Sequence, residues 1–361
     1  VFLVAGAAMA AWAPLVPFAK ANANVDNSVL GLVLLCLGGG SLITMPLAGR
    51  LVARYGCRVV ILASALLACA MLPLLTVASS PVLLAVSLLL FGAGIGAMDV
   101  SMNLQAIVVE RDAGRAMMSG FHAMFSLGGI LGALAMSGAL AAGMSPTFAS
   151  SVIVAALVIA CIASASHLIT QRSAHPGPMF GIPRGIVLLI GALAASCFLM
   201  EGAVLDWSAI YLSSIRGLDV SRAGIGYAAF SAAMVLGRST GDRVVERFGR
   251  RTTLTTGAAC AAFGVALVVS MPDWRASVVG FMVIGLGCSN VVPILFTAAG
   301  RQTVMPESLA VPAVTTMGYA GLLAGPAAIG LIAGQVGLTI AFALLAVMMS
   351  AAALLGRRLP R

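Results

Sequence analysis

The sequence predicts an all-α integral membrane fold, with twelve transmembrane helices in two pseudo-symmetric six-helix bundles. Three observations carry this expectation. Of 361 residues, 61% are hydrophobic and only 9% charged, and the mean hydropathy is +1.10; a soluble domain has about 25% charged residues to coat its surface. Apolar stretches of about 20 residues, the length that crosses roughly 30 Å of hydrocarbon, recur from end to end. A loop motif of the first half also returns in the second half at a fixed spacing. Backbone polar groups in lipid must be bonded within a segment or around a closed barrel. The apolar stretches are continuous runs of Ala, Leu, Val, Gly and Met without two-residue alternation, which selects helices.

Taken in order, the spans cover residues 1–20, 29–53, 57–78, 81–110, 115–142 and 146–170, then 185–212, 220–245, 251–270, 275–301, 307–334 and 337–356. The breaks are short and carry turn signals: Arg54-Tyr55-Gly56, Ser79-Ser80-Pro81, Ser145-Pro146 and Met271-Pro272-Asp273. Spans longer than 25 residues imply tilt or projection beyond the bilayer. The stretch 171–184, polar and rich in proline, reads as a linker between an N-terminal bundle, 1–170, and a C-terminal bundle, 185–361. Val1 is not an initiator and already lies in an apolar run, which implies further sequence before it.

Basic residues orient the spans, because Lys and Arg accumulate in cytoplasmic loops. With the N-terminus inside, sixteen of the 20 basic residues, Arg238 among them, fall on the cytoplasmic side and only Lys20, Arg216, Arg222 and Arg275 outside. That alternation supports an even count of spans, both termini in the cytoplasm and a multi-pass protein of a bacterial inner membrane. The net charge of +9 does not point to nucleic acid, since no basic stripe is interleaved with aromatics. The seven cysteines lie in or beside apolar runs with no CxxC or metal spacing, and read as packing residues. No cofactor is implied.

The repeat is explicit. Gly49-Arg50-Leu51-Val52-Ala53-Arg54-Tyr55-Gly56-Cys57-Arg58 aligns with Asp242-Arg243-Val244-Val245-Glu246-Arg247-Phe248-Gly249-Arg250-Arg251, 193 residues later. The same offset takes Gly128 to Gly321 and Gly132 to Gly325, while Gly94-Ile95-Gly96 matches Gly285-Leu286-Gly287 at an offset of 191. On that last alignment Asn290 is the partner of Asp99. Both Gly-x-x-x-Gly patterns read as close helix packing.

The two loops resemble the cytoplasmic signature of the major facilitator transporters, Gly-x-Leu-x-Asp-Arg-x-Gly-Arg-Arg. The resemblance implies parallel six-helix repeats with a solute site at the bilayer midplane. It further implies a conformational latch made by Arg54, Gly56 and Arg58 in the first copy and by Glu246, Arg247, Gly249, Arg250 and Arg251 in the second. Ala53 stands where the family has an aspartate, so only the second copy keeps its acid. Trp12-Ala13-Pro14, Met98-Asp99-Val100-Ser101-Met102-Asn103 and Glu201-Gly202-Ala203-Val204-Leu205-Asp206-Trp207 resemble the branch of MosC-like, rhizopine-associated membrane proteins. The Asp-x-x-x-Asn pattern is also similar to the Glu-x-x-x-Asn of fucose–proton symporters, where the acid carries the proton. Those proteins use a further acid on the first span, which this chain lacks.

Charge inside the membrane costs roughly 2.5–3.5 kcal/mol on insertion scales, so each such residue calls for a role. Asp99 is the deepest, and Asn103, four residues on, shares its helix face. Proton coupling is expected at Asp99 and Glu201; the alternative for Asp99 is a neutral carboxyl bonded between helices. Solute contacts are expected from Asn103, His122, Asn290, Tyr319, Tyr227 and Trp207, with a packing role as the alternative for His122. Glu110 sits at a span end beside Arg111 and needs no special role. The function expected is secondary transport of a small polar organic solute, sugar- or cyclitol-like, coupled to protons, by a monomer surrounded by lipid. The alternatives are an exporter of amphipathic compounds, which 19 methionines would suit, and a non-transporting receptor of the same fold. An enzyme is not expected, since neither HExxH nor GxSxG is present.

Overall fold

The structure, a computed structural model, describes residues 1–25, 27–170, 181–219 and 223–359. Most of the expected linker, together with Arg172, Arg222 and Arg361, lies outside the described residues. The described residues are helical throughout, without strands.

In the first half the helices are α1 (Phe2–Ala11), α2 (Val16–Ala23), α3 (Asn27–Tyr55), α4 (Cys57–Val77), α5 (Pro81–Ala113), α6 (Met118–Ala141) and α7 (Pro146–Ser164). The second half contains α8 (Ile186–Ile210), α9 (Ile225–Phe248), α10 (Arg250–Ser270), α11 (Trp274–Cys288), α12 (Val291–Arg301), α13 (Glu307–Val336) and α14 (Leu338–Gly356). The twelve expected spans are present, the first and tenth each in two pieces. Proline explains both interruptions, because it lacks the N–H that would bond four residues back. Pro14 and Pro17 follow the bend between α1 and α2. Pro293 stands four residues beyond Ser289, where α11 gives way to α12. By length and composition eleven of these spans suit a membrane crossing. The remaining one, α9, has the length but carries Arg238, Asp242, Arg243, Glu246 and Arg247.

Three of the four breaks read from the sequence are helix starts capped by a side chain. Ser80 Oγ accepts from Leu83 N at 3.2 Å, Ser145 Oγ from Phe148 N at 3.3 Å and Asp273 Oδ1 from Arg275 N at 2.9 Å. Each side chain satisfies an N–H that the first helical turn leaves without a partner. Gly56 and Gly249, equivalent in the two signature loops, have φ of 84° and 79°, which only glycine adopts without strain. This is why both copies keep that glycine while neighbouring positions differ.

The chain forms two compact units. One comprises Val1–Val109, Phe121–Ile182 and Pro306–Ala313; the other comprises Glu110–Gly120, Pro183–Met305 and Val314–Arg361. Two short segments, 110–120 and 306–313, thus group differently from the division at 1–170 and 185–361.

Within each unit the repeat reappears as packing. In the first, a methyl at Gly128 would overlap the Leu3 carbonyl, and one at Gly132 the Ala7 carbonyl. In the second, a methyl at Gly321 would overlap the Ala195 carbonyl, and one at Gly325 would lie 3.2 Å from the Leu199 carbonyl oxygen. The lipid-side alternative to helix contact is equally apolar, so close approach of backbones, not a hydrophobic drive, holds such pairs. The packing also corrects one alignment. Gly92 rests on Leu37 and Gly94 on Ser64 and Ala68, whereas Gly285 rests on Phe230 and Gly287 on Gly257 and Ala261. The offset is therefore 193 throughout, and Asp99 corresponds to Val292 rather than to Asn290.

Gly128→Ala and Gly321→Ala are each expected to destabilise the protein by about 1–3 kcal/mol through overpacking. At Gly138 a methyl meets nothing within 4 Å, so Gly138→Ala should be neutral or slightly stabilising. Thermal melts of the three variants in one detergent make the comparison, and an equal loss at Gly138 would remove the close-approach explanation.

Candidate functional site

In the first unit, α5 and α6 bring Asp99, Asn103 and His122 together. All three are buried, with Asn103 fully inaccessible. The Asn103 amide nitrogen donates to the Asp99 backbone oxygen at 2.8 Å and lies 3.4 Å from its carboxyl Oδ1. That leaves the amide oxygen facing His122 Nε2 at 3.2 Å. An amide oxygen only accepts, so Nε2 is the donor in this contact. The His122 ring packs against Phe2 with centroids 5.4 Å apart. Helical periodicity put Asp99 and Asn103 on one face; the addition of His122 is a tertiary contact. The result is a line of carboxyl, amide and imidazole that can exchange hydrogen-bond partners with a polar solute.

In the second unit, Glu201 on α8 faces Arg238 on α9, with Nη2 and Oε1 3.7 Å apart and the side chains 10% and 20% exposed, arginine first. Arg238 Nε also donates to the Ser289 carbonyl at 3.3 Å. That carbonyl lies four residues before Pro293, so the proline removes its helical donor and leaves it for the guanidinium. Cys197 Sγ sits 3.8 Å from Glu201 Oε1, one helical turn away. Asn290 begins the second piece of the span; its nitrogen donates to the Gly237 carbonyl at 3.2 Å and contacts Ser289 Oγ at 3.1 Å. Its Oδ1 is buried without a hydrogen-bond partner among the described residues. By sequence Arg238 falls among the cytoplasmic basic residues; the structure shows it buried and paired with Glu201. The available signal was its place inside the eighth span, seven residues short of its end.

The remaining candidates divide. Tyr319 is buried and packs against Phe198, with ring centroids 5.7 Å apart. Trp207 lies against Gly330, and its buried indole N–H has no partner among the described residues. Tyr227 is 38% exposed and packs against Phe230, apart from the Glu201 group.

Glu110 belongs to a third cluster, also in the second unit, and the expectation that it needs no role does not hold. Its Oε2 accepts from the backbone nitrogens of Met117 and Met118, both at 2.9 Å. Its Oε1 accepts from Thr297 Oγ1 at 2.9 Å and pairs with Arg250 Nη2 at 3.2 Å. Asp242 accepts from the next two backbone nitrogens, Ser119 at 2.9 Å and Gly120 at 2.8 Å. Two carboxylates thereby satisfy four successive N–H groups at the start of α6, where the helix dipole also favours negative charge. Of the signature-loop residues, Arg250 engages this cluster through Glu110. Glu246 is exposed and has no ion pair among the described residues, so the engaged acid of this loop is Asp242. Arg247 and Arg54 lie over the rings of Phe248 and Tyr55, their own neighbours, and Arg58 meets the Ile169 carbonyl through its backbone nitrogen at 3.0 Å. Arg251 lines a cavity at the start of α10.

The sequence matches the profile of the Major Facilitator Superfamily twice, over residues 1–200 and 189–361. It is 50% identical over 361 residues to an uncharacterized MFS-type transporter of Yersinia pestis, covering all of this chain and 94% of that one. It is 32% identical over 338 residues to the membrane protein MosC of Rhizobium meliloti, covering 93% of this chain and 83% of that one. Among solved structures, the fucose:proton symporter FucP of E. coli superposes with a TM-score of 0.81 at 16% identity, covering 100% of this chain and 97% of that one.

Removing one partner of a buried ion pair typically costs about 3–5 kcal/mol, because the other charge is left unpaired. Arg238→Met should therefore lower the unfolding midpoint sharply, and adding Glu201→Gln should recover much of the loss. A double variant as unstable as Arg238→Met alone would show that Arg238 supports something other than Glu201. Asp242→Asn keeps one acceptor but loses the second and the charge, and should cost about 1 kcal/mol, the usual worth of a helix cap.

Proposed function

The chain belongs to the major facilitator superfamily, and on that footing we propose that it is a proton-coupled secondary transporter of a small, hydroxyl-rich organic solute, sugar- or cyclitol-like. The observation that carries the reading is the buried line Asp99–Asn103–His122. A carboxyl this deep in hydrocarbon is tolerable when neutral or when water and solute reach it in an open conformer. Ionised, Asp99 only accepts, from Asn103 and from a solute hydroxyl; protonated, it gains an O–H that can donate to the solute. One residue thereby links the protonation state to the polarity of the contact offered to the solute, as coupling by alternating access requires. The imidazole of His122 and the amide oxygen of Asn103 supply the further directional contacts a polyol needs. Glu201, held by Arg238, supplies a second carboxyl, suited to holding the solute or responding to the proton. The sugar–proton symport named for FucP accords with this reading. A bacterial inner membrane and a monomer complete the proposal.

The experiment uses reconstituted proteoliposomes. A thermal-shift panel of hexoses, cyclitols and amines first identifies a ligand, because compounds that bind the folded state raise its stability. Asp99→Asn keeps the shape and the hydrogen bonding but removes titration. It is expected to abolish accumulation driven by a pH gradient while leaving counterflow measurable. Glu201→Gln is expected to weaken binding. Gradient-driven uptake in Asp99→Asn at the wild-type rate and pH dependence would move the proton to Glu201 or His122.

A further inference from the structure

Two cavities of the second unit meet at the first turn of α10. One, of about 100 Å³, is lined by Arg250, Arg251 and Arg301 with Gln302, against an apolar wall that includes Ile186 and Ile294. The other, of about 450 Å³, shares Arg250 and Arg251 and adds Arg357 with Thr252 and Thr255. Arginines from three parts of the chain thus line the two adjoining cavities: Arg250 and Arg251 at the start of α10 line both, Arg301 at the end of α12 lines the first and Arg357 at the end of α14 the second. Among the described residues, neither cavity is lined by an acidic side chain. The carboxylate paired with this group is Glu110, which engages Arg250. Residue 249, the N-cap of α10, is a glycine and offers no side-chain oxygen to the first-turn N–H groups, which add their own partial positive charge.

Arginines gathered this way repel one another unless an anion joins them. Their planar forks match oxygens in pairs, the geometry of a phosphate group. The apolar wall beside them suits a phosphate carried on a hydrocarbon body, and basic pockets between membrane helices are recognised sites for anionic headgroups. We propose that these cavities form a phosphate-binding site, filled by the headgroup of an anionic phospholipid or by free phosphate. The site is distinct from Asp99 and from Glu201, and it does not depend on the transport reading.

The test measures thermal unfolding of the full chain in phosphatidylcholine nanodiscs. Phosphatidylglycerol is added in one arm; in the other, inorganic phosphate replaces chloride at matched ionic strength. The unfolding midpoint is expected to rise in at least one arm, and the arm that responds identifies the source. The rise should be mostly lost in Arg251→Gln/Arg301→Gln, a variant that leaves Arg250 to hold Glu110. If that variant does not fold, Arg357→Gln, at an exposed position, takes its place and should reduce the rise. No rise in either arm, or an undiminished rise in the folded variant, would overturn the proposal.

Discussion

A polar group carried into hydrocarbon is costly unless it brings its partner with it, and much of the arrangement of this protein follows from that constraint. Water is absent from the bilayer core, so an unsatisfied backbone group or an unpaired charge costs several kcal/mol. Helices settle the backbone. The side chains are settled case by case: Asp99 leans on Asn103, which turns its other end to His122; Glu201 meets Arg238; Glu110 gathers donors from Met117, Met118, Thr297 and Arg250. Where a helix must break, the freed carbonyl is reused, as Ser289 is by Arg238.

Duplication supplies the frame, and divergence supplies the chemistry. The same glycine-to-backbone contacts recur in each unit at a spacing of 193 residues, so helix positions are fixed twice by the same steric rule. The polar residues do not follow this rule. In α5 the helix runs unbroken through Asp99, whereas the corresponding span of the second unit breaks at Ser289 and Asn290 because of Pro293. One copy holds a deep carboxyl beside an amide and an imidazole. The other holds an ion pair and an amide oxygen with no hydrogen-bond partner among the described residues. The glycines that recur in both copies set the distances, while the polar surfaces they bring together differ.

Strong, local signals were legible in the sequence. Charge scarcity and apolar runs fixed the helical membrane class, and Ser80, Ser145 and Asp273 marked helix starts that they do cap. The signature loops announced the duplication, and the four-residue spacing placed Asp99 with Asn103. All of these depend on neighbours within one or two turns, where chain geometry alone dictates proximity.

What remained was decided by tertiary structure. Arg238 reads as one more positive-inside arginine until α8 is packed beside α9, and only then is it the counter-charge of Glu201. Glu110 reads as a span-end acid until the starts of α6 and α10 converge on it. Glu246 fits the family pattern better than Asp242, yet Asp242 points at the N–H groups of α6. The Asp99–Asn290 correspondence failed because a pair of glycines two residues apart aligns with itself in more than one register, and only packing partners tell the registers apart. The sequence by itself determined the class, the spans and the duplication, since these rest on hydropathy and local spacing. The counter-charges are another matter: Arg238 comes to Glu201 from the next helix, and Arg250 comes to Glu110 from 140 positions away, distances that only the fold closes.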